Sequence, residues 1–228
     1  MKELKDCKTC SSRQNSIFKC VNSSSIELIN GEKSFYHFKK KESLFHEEEA
    51  AKGFYCIKSG LVRTYKISPN GKEQTFQIEG KGKWVGFRDM ISSEVFNHEA
   101  VCLEDTEVCF IRKDLVNRLI RTDERFQIEV LKYLASEWKE TENHMYSLAT
   151  KQAYARLAEL ILTFQKASGD LQEFTLQVTR EVMATCIGIT TEALIRTLSE
   201  FKQKGWLELE KGKIHILNQE AIEDLVNI

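Results

Sequence analysis

Thr179-Arg180-Glu181-Val182-Met183-Ala184-Thr185-Cys186-Ile187-Gly188 runs directly into Ile189-Thr190-Thr191-Glu192-Ala193-Leu194-Ile195-Arg196-Thr197-Leu198-Ser199-Glu200-Phe201. Thr179 and Thr190 are N-cap residue types, whose hydroxyls satisfy the first free N–H groups of a helix. Gly188 is the residue type that closes a helix in the left-handed conformation, because it carries no Cβ. The pattern predicts a first helix ending at Ile187, a short glycine turn, and a second helix over Thr191–Phe201. Leu194, Leu198 and Phe201 form the buried stripe of the second helix, which leaves Thr191, Glu192, Ile195 and Arg196 on the opposite side. Two short helices about such a turn make a helix-turn-helix, which places its second helix in the DNA major groove.

The residues that follow complete the unit. Gly205-Trp206-Leu207-Glu208-Leu209-Glu210, Lys211-Gly212 and Lys213-Ile214-His215-Ile216 read as a hairpin with glycine in its turn, and so as a wing. Arg196 can pair bidentately with guanine O6 and N7, and Glu192 can accept from cytosine N4. Thr179, Arg180, Thr190 and Lys213 are expected on phosphates, which position the domain without reading sequence. On an arbitrary helix Glu192 and Arg196 would instead form a solvated ion pair one turn apart. Residues 179–213 carry six Lys or Arg against five Glu, a balance of +1. Non-specific attraction to DNA is therefore weak, and affinity must rest on dimerisation and base contacts.

A long helix is expected over about Glu124–Thr150. Leu131, Leu134, Trp138, Thr141, Met145 and Leu148 recur at spacings of three and four, an a/d seam with Thr141 as its polar member. Such a seam fits a two-fold helix pair; packing against the chain's own barrel is the alternative. Upstream, seven of the eleven glycines precede residue 90, and the single proline, Pro69, adjoins Asn70-Gly71. Phe54–Ile57, Leu61–Ile67, Thr75–Ile78 and Glu107–Ile111 alternate between these turn signals and read as short strands of a barrel or roll. After the long helix, Lys151–Lys166 reads as helix up to Ala167-Ser168-Gly169-Asp170, and Phe174–Val178 as a short strand.

The 228 residues suffice for two modest domains. Net charge is -1, so composition alone gives no sign of nucleic acid. No apolar run is long enough for a membrane span, and Met1-Lys2-Glu3-Leu4-Lys5-Asp6 lacks the apolar core of a secretory signal, so a cytoplasmic protein is expected. In that compartment the seven cysteines are not expected in structural disulfides. His37, His46, His98, His144 and His215 are scattered among no catalytic motif and read as ordinary surface or strand residues; no enzyme is expected.

The order of parts resembles that of the CRP/FNR family of bacterial transcription regulators over almost the whole chain. The likeness rests on Phe54-Tyr55-Cys56-Ile57-Lys58-Ser59-Gly60-Leu61-Val62-Arg63, on Asn70-Gly71-Lys72-Glu73-Gln74, and on residues Thr179 to Leu207. It implies an α+β fold: a Cys-containing arm (1–25), an antiparallel β-roll of the cyclic-nucleotide-binding jelly-roll type (26–117), a dimerisation helix (118–150) and a winged helix-turn-helix (151–228). It also implies a homodimer, a palindromic double-stranded operator and RNA polymerase as partners. The family's recognition helix carries Glu, then Ser-Arg three and four residues later. Glu192 and Arg196 match, while Ile195 replaces the Ser and could meet a thymine methyl.

Cyclic-nucleotide members carry a Gly-Glu pair with an Arg about ten residues on. The stretch Gly82-Lys83-Trp84-Val85-Gly86-Phe87-Arg88-Asp89-Met90-Ile91-Ser92-Ser93-Glu94 lacks it, so cAMP is not expected. Gly82-x-x-Val85-Gly86-Phe87 is similar to the oxygen-sensing FNR branch, which implies a [4Fe–4S] cluster on three N-terminal cysteines and one internal cysteine. Cys7, Cys10 and Cys20 are the N-terminal candidates, although nine residues separate Cys10 from Cys20, more than the family's spacing. Cys109 resembles the internal ligand, with Cys102 a nearby competitor. A zinc site, a reversible thiol switch, or plain burial of these cysteines are the alternatives.

Overall fold

The computed structural model describes residues 6–92, 95–167, 171–175, 178–210 and 213–226. Met1–Lys5, Ser93-Glu94, the expected breaker Ser168-Gly169-Asp170, Leu176-Gln177 of the expected strand, and the wing turn Lys211-Gly212 lie outside the described residues. Contacts divide the chain into two compact units, residues 1–67 with 76–139, and residues 68–75 with 140–228.

In the first unit two short 3-10 turns, Arg13–Asn15 and Ile17–Cys20, lead into α1 (Ser23–Glu32). Asn22 caps α1, its side chain accepting from the Ser25 N–H. Strands β1 (Ser34–Phe38), β2 (Ser43–Phe45), β3 (Gly53–Ser59), β4 (Val62–Ile67), β5 (Glu73–Glu79) and β6 (Trp84–Val85) follow. Then come α2 (Phe87–Ser92), β7 (Glu99–Cys102), β8 (Thr106–Arg112), α3 (Lys113–Thr122) and α4 (Glu124–Thr150). Two four-stranded sheets result, in the orders β1-β8-β3-β6 and β2-β7-β4-β5. The expected segment 118–150 thus holds the end of one helix and all of the next.

The strand at β3 forms because Phe54 and Ile57 are fully buried, with Cys56 nearly so, while Gly60 takes φ +98° and ends it. A Cβ at Gly60 would stand 2.3 Å from the Thr106 hydroxyl oxygen, so no other residue fits this turn unchanged. Phe18 from the arm enters the same core, its ring 4.7 Å from Trp84 and 6.1 Å from Phe126. Each such apolar side chain contributes roughly 1.5–3 kcal/mol on burial. The arm is therefore part of the roll's core. Asp123 ties it down: its carboxylate accepts from Ser25 Oγ at 2.7 Å, from the Asn22 N–H at 3.2 Å, and from the Phe126 N–H as the cap of α4. Burial would raise the Asp123 carboxyl's pKa, but these hydrogen bonds outweigh it and hold it below the usual range.

The second unit contains the end of α4, α5 (Ala153–Ala167), β9 (Glu173–Thr175), α6 (Arg180–Ile187), α7 (Thr191–Gln203), β10 (Leu207–Glu210), β11 (Lys213–Ile216) and α8 (Gln219–Val226). Its three-stranded antiparallel sheet has the order β10-β11-β9, with Leu207 opposite Ile216 and Ile214 opposite Phe174. Leu157, Ala158 and Ile161 of α5, Leu194 and Phe201 of α7, and Ile222 of α8 are buried together with Leu207 and Ile214. Helix α5 packs on both α6 and α7, and β10 adds a contact to α7.

Candidate nucleic-acid interface and cysteine pocket

Local chemistry sets the helix pair as the sequence predicts. Thr179 caps α6 by accepting from the Val182 N–H at 3.3 Å. Gly188 closes it at φ 66°, ψ 35°, and Thr190 caps α7 by accepting from the Ala193 N–H at 3.2 Å. Leu194, Thr197, Leu198 and Phe201 are buried. Glu192 and Arg196 are exposed on the other side, and Ile195 between them is 51% exposed. Thr191 is half-buried at the first turn. An exposed Ile flanked by a carboxylate and a guanidinium offers an acceptor, a bidentate donor and an apolar contact within one turn, the chemistry of base edges.

Electrostatics agree with that role. The Glu192 carboxyl is held below its usual range by its own backbone N–H and the Thr190 hydroxyl, so it is an ionised acceptor. Among the described residues Glu192 and Arg196 make no ion pair with each other. Arg180 is half-buried beside the Met183 sulfur at 3.7 Å, and burial lowers its pKa from the usual guanidinium value. Lys213 is already engaged by Glu173, 2.6 Å away across the sheet. That pair is exposed and worth little, so a phosphate can displace it.

The six seam positions of α4 divide. Leu131 is 67%, Trp138 70% and Met145 65% exposed, seven residues apart, and Thr141 is exposed with them. Leu134 is half-buried against the roll's core. Leu148 is half-buried too, its Cδ2 3.3 Å from where a Cβ on Gly188 would stand. The helix therefore spends two of its seam leucines on its own chain and leaves a heptad-spaced apolar row uncovered.

The cysteines also divide. Cys7, Cys10, Cys56 and Cys109 line one small cavity of about 40 Å³, walled by Phe18, Ile26, Ile29 and Ile111 and edged by Lys33 and Lys58. Lys33 Nζ donates to Cys7 Sγ at 2.9 Å. Burial pushes the Cys109 thiol up to about 11 against the opposing pull of Lys33. Burial, with the neighbouring sulfurs, raises Cys56 still further; the Trp84 indole N–H alone favours its thiolate. Cys20 does not line this cavity; it lies by Glu129 and Lys132 of α4. Cys102 is buried away from it, near Thr106. Among the described residues no three Cys, His or carboxylate side chains stand close enough to hold a metal as they are. Cys56 was missed as a candidate because nothing in a strand cysteine's own sequence marks it; only the pairing of β3 with β8 places it opposite Cys109.

His98 corrects the expectation of ordinary histidines. It is 5% exposed, outside any strand, with Nδ1 3.2 Å from the buried Asp89 carboxylate and its ring edge-on to Phe45. His144 is half-buried, with Nε2 lacking a partner among the described residues.

Comparison with known proteins places both units. The cyclic nucleotide-binding domain family matches residues 35–123, and the Crp-like helix-turn-helix domain family matches residues 155–225. The chain is 30% identical over 190 residues to the fumarate and nitrate reduction regulatory protein of Yersinia pestis, covering 82% of this chain and 76% of that one. It is 26% identical to the Vibrio cholerae protein of the same name, over 97% of this chain and 90% of the relative. It is 29% identical to the anaerobic regulatory protein of Haemophilus influenzae, over 93% and 84%. Among solved structures FixK2 from Bradyrhizobium japonicum has a TM-score of 0.79 at 23% identity, over 85% of this chain and 96% of that one. A CRP/FNR-family regulator from Thermus thermophilus has a TM-score of 0.69 at 18% identity, over 86% and 99%; these two show the fold. No described helix is long and apolar enough to cross a membrane. With a cyclic-nucleotide-binding-type roll, a long helix and a Crp-like helix-turn-helix in one chain, the protein belongs to the CRP/FNR family of transcription regulators.

Proposed function

We propose that this chain is a homodimeric, cytoplasmic regulator that binds a palindromic double-stranded DNA site and acts with RNA polymerase. The carrying observation is the single exposed face of α7: Glu192, Ile195 and Arg196 beside the capped turn at Gly188–Thr190. Thr191 stands with that face, and Thr179, Arg180, Thr190 and Lys213 flank it and supply the phosphate contacts. Two copies pair through the Leu131, Trp138 and Met145 row, with Thr141 among them. A second copy brings a second α7, and half-sites one helical turn apart, about 10 bp, follow from that two-fold symmetry. Selection of bound duplexes from a random library tests this. Enrichment of an inverted repeat supports the reading, and enrichment of no sequence removes it.

The signal is read, on this account, by metal–thiolate chemistry responsive to oxygen or redox state. Relatives named for fumarate and nitrate reduction and for anaerobic regulation support that direction. The donor set fits: the Cys7, Cys10 and Cys109 sulfurs share one apolar cavity, and Lys33 and Lys58 offset the charge of thiolates there. Soft thiolates are the ligands of an iron–sulfur cluster, whose loss or conversion on oxidation would supply the redox step. Metal binding displaces the thiol protons to solvent, and for Cys109 it works against the raised pKa. Cys20 does not fit this set where it lies.

A further inference from the structure

Cys56 on β3 and Cys109 on β8 are Cα partners in the antiparallel pairing, so their side chains leave the sheet on the same face. Cys7 and Cys10 reach that face from a single turn of the arm, and all four cysteines line the same cavity. One further polar group is aimed there. Trp84, the Cα partner of Cys56 on its other side, has a buried Nε1–H that faces no acceptor among the described residues other than the neighbouring Cys56 sulfur. A neutral thiol is a weak acceptor, so a sulfur bearing negative charge beside that N–H would satisfy it better.

Cys20 is held elsewhere by its neighbours. Phe18 and Val21 are buried in the core, and the Asn22 N–H is fixed to the Asp123 carboxylate at 3.2 Å. Swinging Cys20 to the cavity would pull Phe18 or Val21 out of the core, whereas Cys56 is already in its wall.

We propose that Cys56, in place of Cys20, is the fourth thiolate of a metal centre formed with Cys7, Cys10 and Cys109. The site has four soft sulfur donors, suited to iron within an iron–sulfur cluster or to zinc. This rests on the reading of the arm and roll as a metal-bearing sensor. The arm's Cys7–Cys10 turn closes the site, so occupancy adds ligand bonds to the core contacts that already hold the arm on the roll.

The test uses the full chain, wild type beside Cys20→Ala and Cys56→Ala, under anaerobic conditions. One arm supplies ferrous iron with sulfide, the other zinc alone. Bound metal and acid-labile sulfide are measured in both arms, and the count of sulfur ligands by X-ray absorption at the zinc edge, where no bridging sulfide adds to the protein thiolates. Full loading with four sulfur ligands on zinc in Cys20→Ala, and a loss of affinity of about tenfold or more in Cys56→Ala, are expected. Loss of the centre in Cys20→Ala, or undiminished loading in Cys56→Ala, overturns the assignment while leaving the sensor reading intact. Zinc held by the four named cysteines without uptake of iron and sulfide supports the ligand set and overturns the redox reading instead. No uptake of either metal by wild type removes both. If Cys56→Ala does not match the metal-free wild type in thermal unfolding, the Cys20→Ala sulfur count decides: four supports the assignment, fewer overturns it.

Discussion

Leu131 and Trp138 stand two turns apart on one face of α4, each about two-thirds or more exposed among the described residues. Exposed apolar rows of this kind mark interaction surfaces, and on the proposed reading a second copy of the same row is the partner, self-complementary under a two-fold axis.

Trp138→Glu should therefore give monomers while leaving the fold unchanged, because the residue is 70% exposed in the single chain. Sedimentation equilibrium checks the mass and thermal unfolding checks the fold. A Trp138→Glu protein that stays dimeric at micromolar concentration would place the interface elsewhere.

Gly188 makes the helix-turn-helix turn at φ 66°. Gly188→Ala forces a Cβ into a left-handed residue, at about 1–2 kcal/mol, and sets that Cβ 3.3 Å from Leu148 Cδ2. Urea unfolding should show a loss of that size. Equal or greater stability would mean that the turn relaxes without cost.

Acid should weaken the fold before the carboxylates titrate. Burial lowers the pKa of His98, outweighing the opposing pull of Asp89, and burial likewise lowers His144. The unfolded chain, with histidine pKa near 6.5, then binds protons that the folded chain refuses. The contribution of both groups is complete above about pH 6.5 and declines as pH falls below it. Urea midpoints should drop between pH 7.5 and 5.5, and His98→Gln should flatten the slope. A midpoint that is constant or rises on acidification contradicts the burial of these neutral rings.

The part of the molecule legible in the sequence is the part whose rules are local. Thr179, Gly188 and Thr190 announce their caps within a few residues, and the long helix shows its heptads, so α4, α6 and α7 read almost to the residue. The Leu134 and Leu148 outcomes were hidden, because periodicity cannot say which of two surfaces a seam leucine meets. Three-residue β2 and the largely exposed β1 carry too little alternation to stand out. The Cys56–Cys109 pairing joins strands about fifty residues apart, and only sheet order creates it. His98 was misread for a similar reason: its partner Asp89 comes from α2, which no sequence pattern marked.

The proposed DNA-reading face of α7 is tested most directly by equilibrium binding of the selected operator duplex, at one fixed salt concentration, to wild type, Glu192→Ala and Arg196→Ala. Both residues are exposed and bear no part of the core, so the variants should fold as wild type does. Each is predicted to lose about 1–3 kcal/mol, roughly 5- to 150-fold, on the operator, with affinity for unrelated duplex nearly unchanged. Operator affinity equal to wild type in both variants would contradict the account.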